Sequence, residues 1–177
     1  MKCWLMKNKV FFFIQAMLRY FPFKLGIMLR NLLYPAFFKH YGQGVRIFDS
    51  VVIKYPDDIE LHDGVTINQF CYLVGKGGLI IGPQSMIGAG SKITTTSHDF
   101  KRTDIPMAIQ GITCLPISLE GDIWLGFNVV IMGGAQIGKG SILAAGAVVQ
   151  GKTYEAYSIL GGVPAKVIRS RMAQEQG

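Results

Sequence analysis

The first 44 residues contain no acidic residue, the chain contains no CxxC pair, and only 16% of its residues are charged; each shortage narrows what the protein can be. Three cysteines, Cys3, Cys71 and Cys114, form no even framework, which disfavours a disulfide scaffold and fits a reducing compartment. Few charges beside 22 glycines in 177 residues suit one turn-rich domain with a real core rather than a disordered chain. The absence of acid before Asp49 places the charge excess. Residues 1–44 hold seven basic residues (Lys2, Lys7, Lys9, Arg19, Lys24, Arg30 and Lys39), whereas residues 45–177 hold eleven basic and eleven acidic ones. The net charge of +7 therefore belongs to one segment that is also rich in Phe, Leu, Met and Tyr, and it marks no nucleic-acid face.

That segment is too interrupted to cross a bilayer. Its longest uncharged stretch, Val10 to Leu18, is nine residues, where a spanning helix needs about 20. Arg19, Tyr20 and Phe21 follow it where a signal peptide would have small residues, so an uncleaved segment is expected. Two readings of this helical segment stay open. It lies on an anionic membrane surface, as a peripheral anchor at the inner face of the cell membrane of a cytoplasmic protein, or it caps the domain or a neighbouring subunit.

What the sequence does have is a beat of six. Leu119, Leu125, Ile131, Ile137, Leu143 and Val149 recur every sixth residue; Ile81, Ile87 and Ile93 keep the same step upstream, as do Leu61, Ile67 and Leu73. Neither a helix nor an ordinary sheet has this period. Six residues suit a short strand plus a turn, three such units close a triangular coil, and stacked coils pair at about 4.8 Å. The beat stops at TTTSHDF, residues 94–100, and an unpatterned stretch from 100 to 116 is expected to leave the coil as an excursion loop. GGAQIGKG, residues 133–140, nearly spells a phosphate-binding loop, but Gly140 stands where a Ser or Thr must hold Mg²⁺ and Ile137 already belongs to the beat.

The repeat, TTTSHDF, the stretch PISLEGDIWLGFNVVIMGGAQIGKGSILAAGAVV and the tail GGVPAKVIR together resemble the hexapeptide-repeat acyltransferase family, in its sugar and xenobiotic O-acetyltransferase branch. The resemblance implies an all-β solenoid, a left-handed parallel β-helix, with the segment 1–44 as N-terminal helices, the solenoid at 45–160, and a C-terminal tail with a short helix at 161–177. The left hand comes from the resemblance alone, since parallel crossovers otherwise favour the right hand.

The same resemblance implies a homotrimer that uses acetyl-CoA, with no metal, to acetylate a saccharide hydroxyl, and the N-terminal segment points to a surface polysaccharide or lipid-linked glycan as that saccharide. The resemblance carries His98 over as the general base, with Asp99 orienting its ring unless that carboxylate is a solvated turn acid. Asn68 would meet the acceptor, or cap a turn. Trp124 would lie against the pantetheine arm of CoA, or pack under the loop. Gly126 and Ala145 would offer it backbone amides, and Lys166 and Arg169 would meet its phosphates. Gly75, Lys76, Gly77 and Gly78 replace an acidic pair of several relatives, which puts a simple free sugar in doubt. N-acetylation of an amino sugar, acetylation of an antibiotic and a non-catalytic scaffold are the alternatives. A three-histidine metal enzyme of the same fold is disfavoured because His40 is expected to precede the coils.

Overall fold

The computed structural model describes residues 2–174. Met1 and residues 175–177, the ends of the two terminal segments, lie outside the described residues. Among the described residues three parallel sheets wrap one axis. The first face stacks His40–Tyr41, Ile59–Leu61, Leu79–Ile81, Ile117–Leu119, Gln136–Ile137 and Thr153–Tyr154. The second stacks Arg46–Ile47, Thr66–Ile67, Met86–Ile87, Trp124–Leu125, Ile142–Leu143 and Ser158–Gly161, and the third runs from Val52–Lys54 to Val148–Val149. This is the left-handed parallel β-helix, an all-β solenoid of about six turns.

The beat of six becomes a register of aliphatic columns. On the second face Ile47, Ile67, Ile87, Leu125, Leu143 and Leu160 lie one above another, and on the third Ile53, Leu73, Ile93, Ile131 and Val149 do the same; all are buried. Every inward aliphatic thus packs on its equivalents above and below, so each coil buries a face it could not bury alone. Ser85 and Ser91 sit inside this core because each hydroxyl accepts an amide hydrogen bond from the next coil, from Ile123 and Val129. Ile137 of the would-be phosphate loop is one more buried rung.

The chain leaves the prism four residues earlier than the excursion predicted from sequence. Thr96–His98 pairs antiparallel with Ile112–Cys114, His98 opposite Ile112, and the Leu115 amide returns to the Thr95 carbonyl to close the arm.

At the other end, α1 (Lys2–Leu18) and α2 (Phe23–Leu33) plug the first coil. Gln15, buried, spans Ile53 with both halves of its amide: Nε2 donates to the carbonyl at 3.2 Å and Oε1 accepts from the N–H at 2.7 Å. Arg30, also buried, donates to the carbonyls of Ile47, Leu18 and Phe21. The contacts to Ile47 and Ile53 satisfy backbone groups that the first coil of the solenoid would otherwise leave open, and those to Leu18 and Phe21 tie down the end of α1. Phe11 seals the junction among Tyr34, Phe37 and Phe38.

Two expectations change. His40–Tyr41 pairs with Ile59–Leu61, so the coils start inside the segment 1–44 and His40 does not precede them. Beyond Gly161 the tail is chiefly a strand, Lys166–Ser170, antiparallel to Ser158–Gly161, and the short helix is a single 3-10 turn, Arg171–Gln174. β-branched Val167 and Ile168 suit that pairing.

Candidate active site

Four of the residues singled out in the sequence come together along one corner of the prism. Where the second face turns into the third, a groove of about 560 Å³ runs across successive coils, and Asn68, Trp124, Gly126 and Ala145 all line it. Trp124 sits outward on its strand, half exposed, between Met86 below and Ile142 above, so the groove has an apolar wall. The Asn68 side-chain amide donates to the Ile87 carbonyl at 2.9 Å, which ties it to the next coil.

The corner backbone shows what Gly126 does, and it differs from the expectation. Its amide is not open, because it donates to the Leu143 carbonyl at 2.8 Å as a rung of the stack. Its lack of a side chain serves packing: a Cβ there would stand 2.7 Å from the Ala145 nitrogen. The open amides lie one residue further into each turn. Among the described residues the N–H groups of Ala89, Phe127 and Ala145 have no acceptor, and all three residues line the groove. Ala145 was legible in the sequence; Ala89 and Phe127, at the same place in other coils, were not singled out. A column of unpaired donors beside an apolar wall suits an extended ligand that carries amide carbonyls on an apolar chain.

Lys166 and Arg169 lie beyond the upper end of this corner, on the strand that crosses the last coil. Both are exposed, and among the described residues neither has a carboxylate within ion-pair distance. Two strand steps separate them from Ile142–Leu143, roughly 10 Å.

His98 is elsewhere. Its arm leaves from the next corner, between the third and first faces, where Thr94, Thr95, Ser97, Thr113 and Gly133 line a separate cavity of about 310 Å³. The third face separates the two corners, and three residues of strand span roughly 10 Å. The His98 side chain is exposed, and among the described residues no group hydrogen-bonds its imidazole. Asp99 therefore does not orient the ring here: its carboxylate accepts a hydrogen bond from the Thr113 hydroxyl, which pins the two strands of the arm together.

Among the described residues the other titratable groups do not gather into a second centre. His40 and His62 stack with ring centroids 4.8 Å apart near Glu60, away from the arm, and among the described residues no three His, Cys, Asp or Glu side chains converge on a metal position. Cys71 is buried, and burial pushes its thiol up to about 11, so it is inert; Cys114 is exposed on the arm.

A parallel solenoid with a corner groove and a histidine-bearing arm defines a recognisable class. No family model matches the chain. It is 32% identical over 134 residues to a putative colanic acid biosynthesis acetyltransferase of Escherichia coli, covering 76% of this chain and 70% of that protein. It is 32% identical over 142 residues to a probable macrolide acetyltransferase of Lysinibacillus sphaericus, covering 70% and 72%. A solved hexapeptide-repeat acetyltransferase from Vibrio cholerae, known also in complex with acetyl coenzyme A, superposes with a TM-score of 0.84 over 94% of this chain and 92% of its own, at 25% identity. The chain belongs to the hexapeptide-repeat acetyltransferases. It spans only 34% to 66% of the length of some other curated relatives it matches.

Proposed function

We propose that the protein is an acetyl-CoA-dependent O-acetyltransferase that acts on a saccharide hydroxyl in the assembly of a surface polysaccharide or lipid-linked glycan. The observation that carries this reading is the corner groove: one wall apolar with Trp124, the other a column of unpaired amides at Ala89, Phe127 and Ala145. A pantetheine arm has the matching chemistry, and Lys166 and Arg169 stand beyond the groove for its phosphates. The acetyl-CoA complex of the Vibrio cholerae relative and the colanic acid role in the Escherichia coli relative's name support it.

His98 serves as the base. Its neutral imidazole takes the proton of the acceptor hydroxyl as that oxygen attacks the thioester carbonyl; when the carbon–sulfur bond breaks, the imidazolium returns the proton to the leaving thiolate. The acceptor gains an ester and the donor leaves as a free thiol, with no covalent enzyme intermediate. Asn68, tied to Ile87 through its Nδ2, offers its carbonyl oxygen to the acceptor.

One chain does not bring His98 to its own groove. A ring of copies would, since a heterologous contact places the arm of one protomer on the groove corner of the next, and three prisms close such a ring. The arm's exposed Phe100, Ile109, Ile112 and Leu115 give that contact an apolar surface. The cap adds peripheral attachment to the anionic inner face of the cell membrane. Its outward side carries Phe13, Met17, Phe23, Met28 and Leu32, all exposed, among the basic residues Lys7, Lys9 and Lys24. Among the described residues no helix is long and apolar enough to cross a membrane.

The test is donor binding. Trp124→Ala should weaken acetyl-CoA by about tenfold, the worth of a lost apolar contact near 1.4 kcal/mol. Lys166→Ala with Arg169→Ala should raise the apparent KM for acetyl-CoA and leave that of the acceptor. Calorimetry showing unchanged CoA affinity in both variants would remove the groove as the donor site.

A further inference from the structure

The seam where the helical cap meets the prism has chemistry that neither capping nor acetyl transfer uses. Between α1 and the first strand of the third face lies a cavity of about 360 Å³, lined by Phe12, Ala16, Arg19, Tyr20, Val52 and Lys54. Two cations share it. Among the described residues neither has a carboxylate within ion-pair distance, although acids occur elsewhere on the first coils. Arg19 is already fixed: its Nη2 donates to the Tyr20 hydroxyl and its guanidinium lies over that ring, 4.6 Å from the centroid. Its Nε is buried with no acceptor. Two cations without a carboxylate on one cavity wall make an anion the complementary occupant, which would compete with the Tyr72 ring that the Lys54 ammonium now lies over, 5.3 Å from its centroid.

The rim says what the anion is attached to. Phe12 is 40% exposed, Phe13 69%, Met17 61% and Tyr20 65%, so the seam opens onto the apolar outer side of α1. A free polyanion gains nothing from that side; a molecule with a charged head and a hydrocarbon tail gains from both. We propose that this seam is the headgroup site for a phosphate-bearing membrane lipid, with the phosphate between Arg19 and Lys54 and the first tail carbons against Phe12 and Ala16. The proposal rests on the membrane reading of the cap and sharpens it from general attraction to a surface into recognition of one group. Such a site would seat the solenoid end-on to the lipid surface.

Calorimetry on the full-length protein with dihexanoyl phosphatidic acid below its micelle concentration tests the site apart from any bilayer. It should bind at least about tenfold more tightly than dihexanoyl phosphatidylcholine or inorganic phosphate, a gap of about 1.4 kcal/mol. Lys54→Gln and Arg19→Gln should each weaken it by about the same factor and leave acetyl-CoA affinity unchanged. Lys54 lies on the prism, so its variant does not disturb the cap. Equal binding of the phosphatidylcholine, binding of inorganic phosphate as tight as that of the lipid, or full binding by the Lys54 variant would each overturn the site. Vesicle flotation separates the two layers of the reading. If soluble phosphatidic acid binds but the protein ignores anionic vesicles at low salt, membrane docking fails and the headgroup site stands. If vesicles bind equally well to wild type and Lys54→Gln, the site fails and membrane docking stands.

Discussion

His98→Ala is expected to fold, to assemble and to bind acetyl-CoA as the parent does, yet to transfer acetyl groups about 10² to 10⁴ times more slowly, the usual worth of a positioned general base. The side chain is exposed on a two-stranded arm and no described group depends on its imidazole, so the loss should fall on kcat rather than on stability. The arm's position adds a sharper expectation. Because His98 and the groove occupy different corners of one chain, an inactive His98→Ala protomer and an inactive groove variant should complement each other when mixed. In a three-membered ring assembled at random from equal parts, about a quarter of the interfaces pair an intact groove with an intact histidine. Recovery near that fraction, measured as turnover after co-refolding, supports the composite site. No recovery, or full activity in His98→Ala alone, contradicts it.

The second large effect is on stability. Phe11→Ala should cost about 3 to 5 kcal/mol, the range for a buried aromatic removed from a packed junction. Phe11 is fully buried and meets Tyr34, Phe37 and Phe38 at centroid distances of 5.1 to 6.1 Å. Its loss should loosen both helices from the first coil, so that melting falls by about 10 °C and protease cuts the cap before the prism. Unchanged melting would mean that the cap is not part of the folded core. Residues 1–44 pack on the prism as a cap, and the proposed membrane contact would use the side of the same helices that the prism leaves uncovered. Phe11, Gln15 and Arg30 face the prism, while Phe13, Phe23 and Leu32 do not.

The sequence made the prism legible because its spacing is written in side chains: Ile81, Ile87 and Ile93 each land in a buried column. The departure at His98 was legible for the same reason, although the arm begins at Thr96, where the backbone already pairs with Cys114. Backbone roles were not. Gly126 and Ala145 look equally suited to offering an amide, but in a coil the residue just after the strand donates to the next coil and only its successor is free. That distinction depends on position within the turn and not on residue type, so Ala89 and Phe127 went unnoticed. The inner face of the cap was hidden for a related reason. Gln15 and Arg30 read as ordinary polar helix residues until Ile47 and Ile53 present open carbonyls to them.

In the proposed reaction acetyl-CoA delivers its acetyl group to a saccharide hydroxyl at this groove. Incubation of the full-length protein with labelled acetyl-CoA and a panel of polysaccharide repeat units and lipid-linked glycans, followed by mass and alkali-lability analysis of the products, tests it directly. A base-labile O-acetyl ester is expected on at least one acceptor, formed by the wild type and reduced at least about a hundredfold by His98→Ala. An alkali-stable amide as the sole product, or no transfer from acetyl-CoA to any member of the panel, would contradict it.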